Sequence, residues 1–246
     1  MVNRDDLNVY CNDFLSVSKY KDYCPNGLQV EGTQTINKIV SGVSANLDFI
    51  ELAIAEQADA IFVHHGIFWK NESNVIVGSK KTKIDLLLKN NINLFAYHLP
   101  LDDHPEVGNN LELGRVLGIK KMKPVDSSLI WQGELDTDLK TFSSLIEKQL
   151  GRSPQIFGRL SRSVNSIAWC TGGAQSFIDE AISFKADVFL SGEVSERTPA
   201  VAKENDMIYI SAGHHATERF GVQALSKHLS SEFNLKHQFL EVQNSV

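Results

Sequence analysis

Six of the eight histidines in this chain gather in three short polar segments: His64-His65, the stretch from His98 to His104, and His214-His215. Asp102 and Asp103 lie within the second segment, and Glu218 follows the third. Imidazole and carboxylate together suit borderline divalent metals such as zinc, iron, manganese and nickel. His214 and Glu218 stand four apart, so on a helix they share one face and both can reach one ion. His215 is rotated away by about 100°. Neighbours in an extended segment point to opposite sides and rarely share one ion, but on a twisted turn His64 and His65 can each serve one of two ions. Two ions bridged by a carboxylate share a water and bring its pKa toward neutrality, which is the chemistry of hydrolases. Each segment alone also reads as an ordinary polar turn or cap. Their joint placement at strand ends strengthens the metal reading.

The elements that must deliver these residues can be read from periodicity. Ala60–Val63 is a short, wholly apolar run of the kind found in buried parallel strands, and it leads straight into His64. Residues 92–97 form a second such run, ending at His98, and 207–210 a third, before Gly213-His214. Open α/β sheets bind ligands at the carboxyl ends of their strands, and only His228 and His237 fall elsewhere. Further strands are expected at 36–43, 129–135, 166–170 and 188–190. Helices are expected at 4–16, 47–57, 82–90, 109–117, 138–150 (capped by Asp136 or Thr137), 176–184 and 218–233. Residues 17–35, with Pro25, Asn26, Gly27 and Gly32, read as an irregular loop.

Residues 49–62 (FIELAIAEQADAIF) and 177–190 (FIDEAISFKADVFL) echo one another at a constant offset of 128, which also sets Ile39 against Ile167. In each copy a helix leads to Ala-Asp, a short apolar strand and a polar turn: His64-His65 in one, Gly192-Glu193 in the other. A looser echo relates the strand ending at His98 to that ending at His214. The fold class expected is therefore α/β: two similar halves from an internal duplication, with mostly parallel sheets and a metal cleft between them. The first half, 1–125, carries His64, His65 and Asp102. The second, 126–246, carries Glu193, His214 and Glu218.

Bulk properties narrow the partners. With 246 residues, 42% hydrophobic and 22% charged, the chain is ordinary for a globular protein. A net charge of -6 and no basic stripe argue against nucleic acid. Cys11, Cys24 and Cys170 fit no zinc or disulfide framework and read as reduced, buried thiols. No run approaches ~18 apolar residues and the N-terminus lacks a signal-peptide pattern, so a cytoplasmic protein without membrane contact is expected.

The segments His-His-Gly-Ile-Phe-Trp at 64–69, His-Leu-Pro-Leu-Asp-Asp-His-Pro-Glu-Val-Gly-Asn-Asn at 98–110 and Gly-His-His-Ala-Thr-Glu-Arg at 213–219 together resemble the Nif-three-like family, whose members are commonly called GTP cyclohydrolase 1 type 2 homologues. Asn-Gly-Leu-Gln-Val-Glu-Gly at 26–32 and Ser-Gly-Glu-Val-Ser-Glu at 191–196 match as well, so the resemblance spans roughly 20–225. It implies a dinuclear site, with His64 and His65 going one to each metal, Asp102 on one ion, His214 on the other and Glu218 bridging. It implies that His98 moves protons or contacts substrate, and that Glu193 sits at the cleft entrance. It further implies a toroidal homohexamer of the short type, without an inserted domain. A further histidine that follows the Gly-Glu pair in the family has no counterpart among Arg197, Thr198, Pro199 and Ala200.

Three functions compete at this point. The chain is a hydrolase using two divalent ions on a small-molecule substrate, with a purine nucleotide the class the resemblance implies. It is a non-catalytic metal-binding or partner-binding ring. Or the metal is purely structural. No Gly-rich phosphate loop is present, and Lys70, Lys80, Lys81 and Lys83 are the nearest cations for a triphosphate.

Overall fold

A computed structural model describes residues 1–246. Two compact units emerge: Met1–Gly108 with Gly221–Gln243, and Asn109–Phe220 with Asn244–Val246. The division after Gly108 precedes the expected one at 125. The physical reason is the pairing of the strand Lys120–Pro124, which joins the sheet of the second unit.

The first unit runs β1 (Val2–Asn3), α1 (Arg4–Phe14), β2 (Gly27–Val30), β3 (Thr35–Ile36), β4 (Lys38–Ser44), α2 (Leu47–Ala55), β5 (Ala60–His65), α3 (Gly78–Lys89), β6 (Asn93–Ala96) and α4 (Leu99–Asp102). The second continues with α5 (Asn109–Val116), β7 (Lys120–Pro124), β8 (Trp131–Asp138), α6 (Leu139–Leu150), β9 (Gln155–Phe157), β10 (Ser163–Trp169), α7 (Ile178–Ser183), β11 (Val188–Ser191), α8 (Arg197–Glu204) and β12 (Ile208–Ser211). The helix α9 (His214–Phe233) and strand β13 (Lys236–Phe239) complete the chain.

The first sheet has the order β13-β4-β5-β6-β2, with β13, β4, β5 and β6 parallel and β2 antiparallel at the edge. Alternation sorts its side chains. Ile39, Phe62 and Phe95 join Leu7 and Cys11 of α1 and Leu225 and Leu229 of α9 on one face. Val40, Ile61, Val63 and Leu94 join Phe49 and Ile50 of α2 and Leu87 of α3 on the other. Burying each such side chain stabilises by about 1.5–3 kcal/mol. The second sheet has the order β7-β8-β10-β11-β12-β9. Only its β10-β11-β12 centre is parallel, and its flanks are antiparallel. The mostly parallel expectation therefore holds for the first sheet and for the middle of the second. Ile167, Trp169, Val188 and Leu190 pack on Phe142 and Ile146 of α6, while Ala168, Phe189 and Tyr209 face Ile178 of α7 and Ala202 of α8.

The internal echo survives as pairing register. Ile39 pairs with Ala60, and Ile167 with Val188, both partners moved by 128. The Asp59 carboxylate accepts from the backbone N–H groups of Asn37 and Lys38 at 2.8 and 2.9 Å. Its equivalent, Asp187, accepts from those of Asn165 and Ser166 at 2.9 and 3.0 Å. In both units one carboxylate thus ties the start of one central strand to the start of the next.

Elsewhere the expectations needed adjusting. The loop expected at 17–35 contains β2, an edge strand that α1 and β6 specify from outside: Asn8 Oδ1 accepts from Leu28 N at 3.0 Å, and Leu28 pairs with Phe95. The cap of α6 is Asp138, whose Oδ1 accepts from Thr141 N at 2.9 Å, and not Asp136 or Thr137. The last helix begins at His214, four residues before Glu218. No helix is long and apolar enough to cross a membrane.

Loss of either repeated carboxylate leaves two strand N–H groups without their acceptor. Asp59→Ala and Asp187→Ala should each lower unfolding stability by about 1–3 kcal/mol. Urea denaturation checks this, and a loss confined to one of the two variants would contradict the equivalence.

Candidate metal centre

In the first unit both neighbouring histidines end β5. The strand runs two residues further than its apolar run, and at its end the rings of His64 and His65 lie together, centroids 4.6 Å apart, rather than on the opposite sides that regular alternation would give. His64 is fully buried, and its Nδ1 lies 2.9 Å from the Tyr97 carbonyl oxygen, just past β6. A carbonyl only accepts, so Nδ1 carries the hydrogen and Nε2 is the nitrogen turned toward Asp102. His65 Nδ1 lies 3.0 Å from the hydroxyl of Ser44, its partner on β4. The strands flanking β5 therefore each hold one imidazole.

His98 follows β6 and is held the same way. Its Nδ1 is 2.9 Å from Asp22 Oδ1, and its backbone N–H donates to Asn26 Oδ1 at 2.7 Å. Burial pushes the Asp22 carboxyl toward neutrality. The His98 ring, the Asn26 amide and the Leu99 N–H prevail and keep it well below the usual carboxylate range. Asp22 therefore remains an acceptor, and His98 Nδ1 donates to it. The ligand atoms of His64, His65 and His98 all lie within 4.8 Å of one another.

Asp102 closes α4, a single turn that the sequence did not announce. Its Oδ1 lies 3.4 Å from His64 Nε2, and both groups are buried. Two ligands about 2.1 Å from one ion at the tetrahedral angle stand about 3.4 Å apart. The 3.4 Å spacing is therefore one at which both groups could hold a single divalent ion.

In the second unit His214 opens α9. Its Nδ1 contacts Glu193 Oε1 at 2.6 Å, and its Nε2 contacts Glu218 Oε2 at 3.1 Å, one turn on. Burial opposes protonation of this ring, but Glu218 and Glu193 together raise its pKa to about 9. Glu193 is itself fixed: Gln175 Nε2 donates to Oε2 at 3.1 Å, and the Tyr209 hydroxyl donates to its backbone carbonyl. Gly172, at φ +66°, lies against the Glu218 carboxylate, and a Cβ there would meet Oε1 at 2.0 Å.

The structure thus groups His64, His65, His98 and Asp102 in one unit, and Glu193, His214 and Glu218 in the other. His104 is not among them. Its Nε2 donates to the Phe14 carbonyl and its Nδ1 accepts two backbone N–H groups. His228 stacks on Phe14 and meets the Tyr10 hydroxyl, while His237 contacts Ser41. Cys24 lies with Asp22 and His98, but burial first, then the Asp22 charge, raises its pKa and keeps it a thiol. All three cysteines are buried and free, as expected. The residues that sequence reasoning missed are Asp22, Ser44, the Tyr97 carbonyl and Gly172. Asp22 is 76 positions from the ring it holds. Its only local sign was a carboxylate beside the Pro25-Asn26-Gly27 turn.

The family model described as Duf34/NIF3 (NGG1p interacting factor 3) matches residues 2–245. A curated relative from Allochromatium vinosum, named GTP cyclohydrolase 1 type 2 homolog, is 48% identical over 248 residues, covering 99% of this chain and 98% of its own. A relative of the same name from Escherichia coli K12 is 46% identical over 242 residues, covering 97% and 98%. Among solved structures, TTHA1606 from Thermus thermophilus matches with a TM-score of 0.92 at 33% identity over the whole of both chains. Reduced HcgD from Methanocaldococcus jannaschii matches with a TM-score of 0.84 at 25% identity over 98% of each.

Two measurements test this geometry. Gly172→Ala should displace the Glu218 carboxylate and weaken metal uptake, read by metal analysis after dialysis against limiting metal; unchanged uptake would count against the packing described. In the metal-free protein, the folded pKa of His214 near 9 exceeds its unfolded value of 6.5. The stability it contributes is therefore fully present below pH 6.5 and lost as pH rises through 9. Thermal melts of metal-free wild type should fall across that window more steeply than those of His214→Gln.

Proposed function

The chain belongs to the Duf34/NIF3 family, and we propose that it binds two divalent metal ions and acts as a metal-dependent hydrolase of the GTP cyclohydrolase type, or on a related amide or phosphoester. The observation that carries this is shared by four imidazoles. His64, His65, His98 and His214 each have Nδ1 engaged, by a carbonyl, a hydroxyl or a carboxylate. Metal-binding histidines are oriented in this way, by a partner on the nitrogen that does not face the ion.

On this reading His64 and His65 hold one ion each, Asp102 holds one of them, His214 the other, and Glu218 bridges. When bound, the ions supply an acidified water for hydrolysis. The protein's own groups do the rest. Asp22 fixes the His98 tautomer so that Nε2 is available to take or return a proton at the substrate. Glu193 orients His214 from behind and raises its basicity. The name shared by the curated relatives makes GTP the first substrate to try. The family resemblance also supports a homo-oligomer, a six-membered ring, which sedimentation measures.

Protein purified without chelator should carry two divalent ions per chain. Asp102→Ala and Glu218→Ala should lose them, and Glu193→Ala should weaken affinity about 10–100-fold. Glu218→Gln should abolish turnover while the fold persists. Turnover that survives complete removal of both ions would end the hydrolase reading. Two tightly held ions with no turnover across nucleotide, amide and phosphoester substrates would favour a metal-binding scaffold.

A further inference from the structure

Tyr23 is the one aromatic side chain in the exposed class, at 51% exposure. It lies in the loop that also supplies Asp22, and its ring does not hang free in solvent. It stacks on Trp69 with centroids 6.1 Å apart and planes 30° off parallel. It meets His98 edge-on at 4.9 Å. Trp69, itself half-buried, lies 5.8 Å from His65 and 5.4 Å from His98, the latter nearly perpendicular. The two segments are pinned together where Lys70 N–H donates to the Tyr23 carbonyl at 2.8 Å. An ordered π surface therefore borders the histidines at the end of β5, all within the first unit.

Every other aromatic side chain is buried or half-buried, so the exposed Tyr23 and half-buried Trp69 together form a solvent-facing aromatic pair beside the histidines. Rings held rigid beside polar donors are what a flat ligand needs: stacking selects a planar shape, and the polar groups read its edge. Lys21 and Lys70, both exposed and close in sequence to the two aromatics, disfavour a cationic guest, the other class that aromatic rings attract.

We propose that Tyr23 and Trp69 form the stacking surface on which a planar heteroaromatic ring lies with its edge toward His65 and His98. This rests on the hydrolase reading of the same site and adds to it the two side chains that would hold and orient a flat ring there. Tyr23 and Trp69 select the substrate and hold it in register. They take no part in proton transfer.

Trp69 is the one tryptophan of the three that is not buried, so its fluorescence reports the surface directly; Trp131 and Trp169 are 3% and 0% exposed. Guanosine and nicotinamide are titrated into metal-loaded and metal-free full-length protein, with ribose and choline as controls and calorimetry for the Trp69 variant. Saturable quenching by guanosine or nicotinamide is expected, and none by ribose or choline. Tyr23→Ala and Trp69→Ala should weaken binding about tenfold, Tyr23→Phe should leave it unchanged, and all three should keep the metal content of wild type. Binding of neither planar probe, equal binding in Tyr23→Ala and wild type, or preference for choline would overturn the inference. Counting ions in the same samples separates the two readings. Two bound ions without guanosine or nicotinamide binding would sink the stacking surface alone. Tyr23-dependent binding of a planar probe by a protein that holds no metal would support the surface and remove the metal.

Discussion

An imidazole has two nitrogens, and at His64, His65 and His98 this structure commits Nδ1 to a partner in the protein itself. The bond from His64 Nδ1 to the Tyr97 carbonyl is the plainest instance. It is possible only because β5 and β6 run parallel in one register, Val63 opposite Ala96, so that their carboxyl ends finish side by side. That register in turn depends on the apolar alternation that seats Phe62 on one face of the sheet and Ile61 and Val63 on the other. A slip of one residue would exchange the faces, bury the wrong side chains and turn His64 away from its carbonyl. Packing and chemistry are one constraint here, because the residue after the last buried valine is the first histidine of the cluster.

The carboxylates obey a complementary rule. Buried acids are costly unless several donors converge on them, and each acid of the site has its own arrangement. Asp22 gathers the His98 ring, the Asn26 amide and the Leu99 N–H. Glu193 takes the His214 ring and the Gln175 amide. Glu218 lies against a glycine that leaves room for it. Apart from the Asn26 amide, the donors named here lie far from their carboxylates in sequence, which explains what could be read in advance and what could not.

The histidine ends of β5 and β6 were legible because a short apolar run that stops at a histidine is visible in a single line of sequence. The helix face shared by His214 and Glu218 was legible from spacing alone. Asp22 was not, since nothing near position 22 points to a ring 76 residues away. The turn α4 that delivers Asp102 was hidden by its length and by Pro100, a residue that marks helix starts as often as breaks. The edge strand β2 was masked by Pro25 and Gly27, turn-formers at its border, and β13 by the polar face it shows between Lys236 and Gln238. Edges take their order from partners far along the chain, and periodicity carries no record of a partner. The flanks of the second sheet differ from the first for the same reason.

The repeated aspartates, Asp59 and Asp187, have a meaning for the history of the chain. A gene copied end to end begins with two identical sets of strand ends, and each set is free to drift only where it is not needed to hold the strands together. At an offset of 128 the aspartates remain, while His64 and His65 in one copy stand opposite Gly192 and Glu193 in the other. One descendant presents imidazoles at the end of its strand. The other presents a carboxylate that props up an imidazole arriving from elsewhere in its own sequence. The two copies have divided the work, and the aspartate that ties the strands in each is the clearest structural trace that they began as the same text.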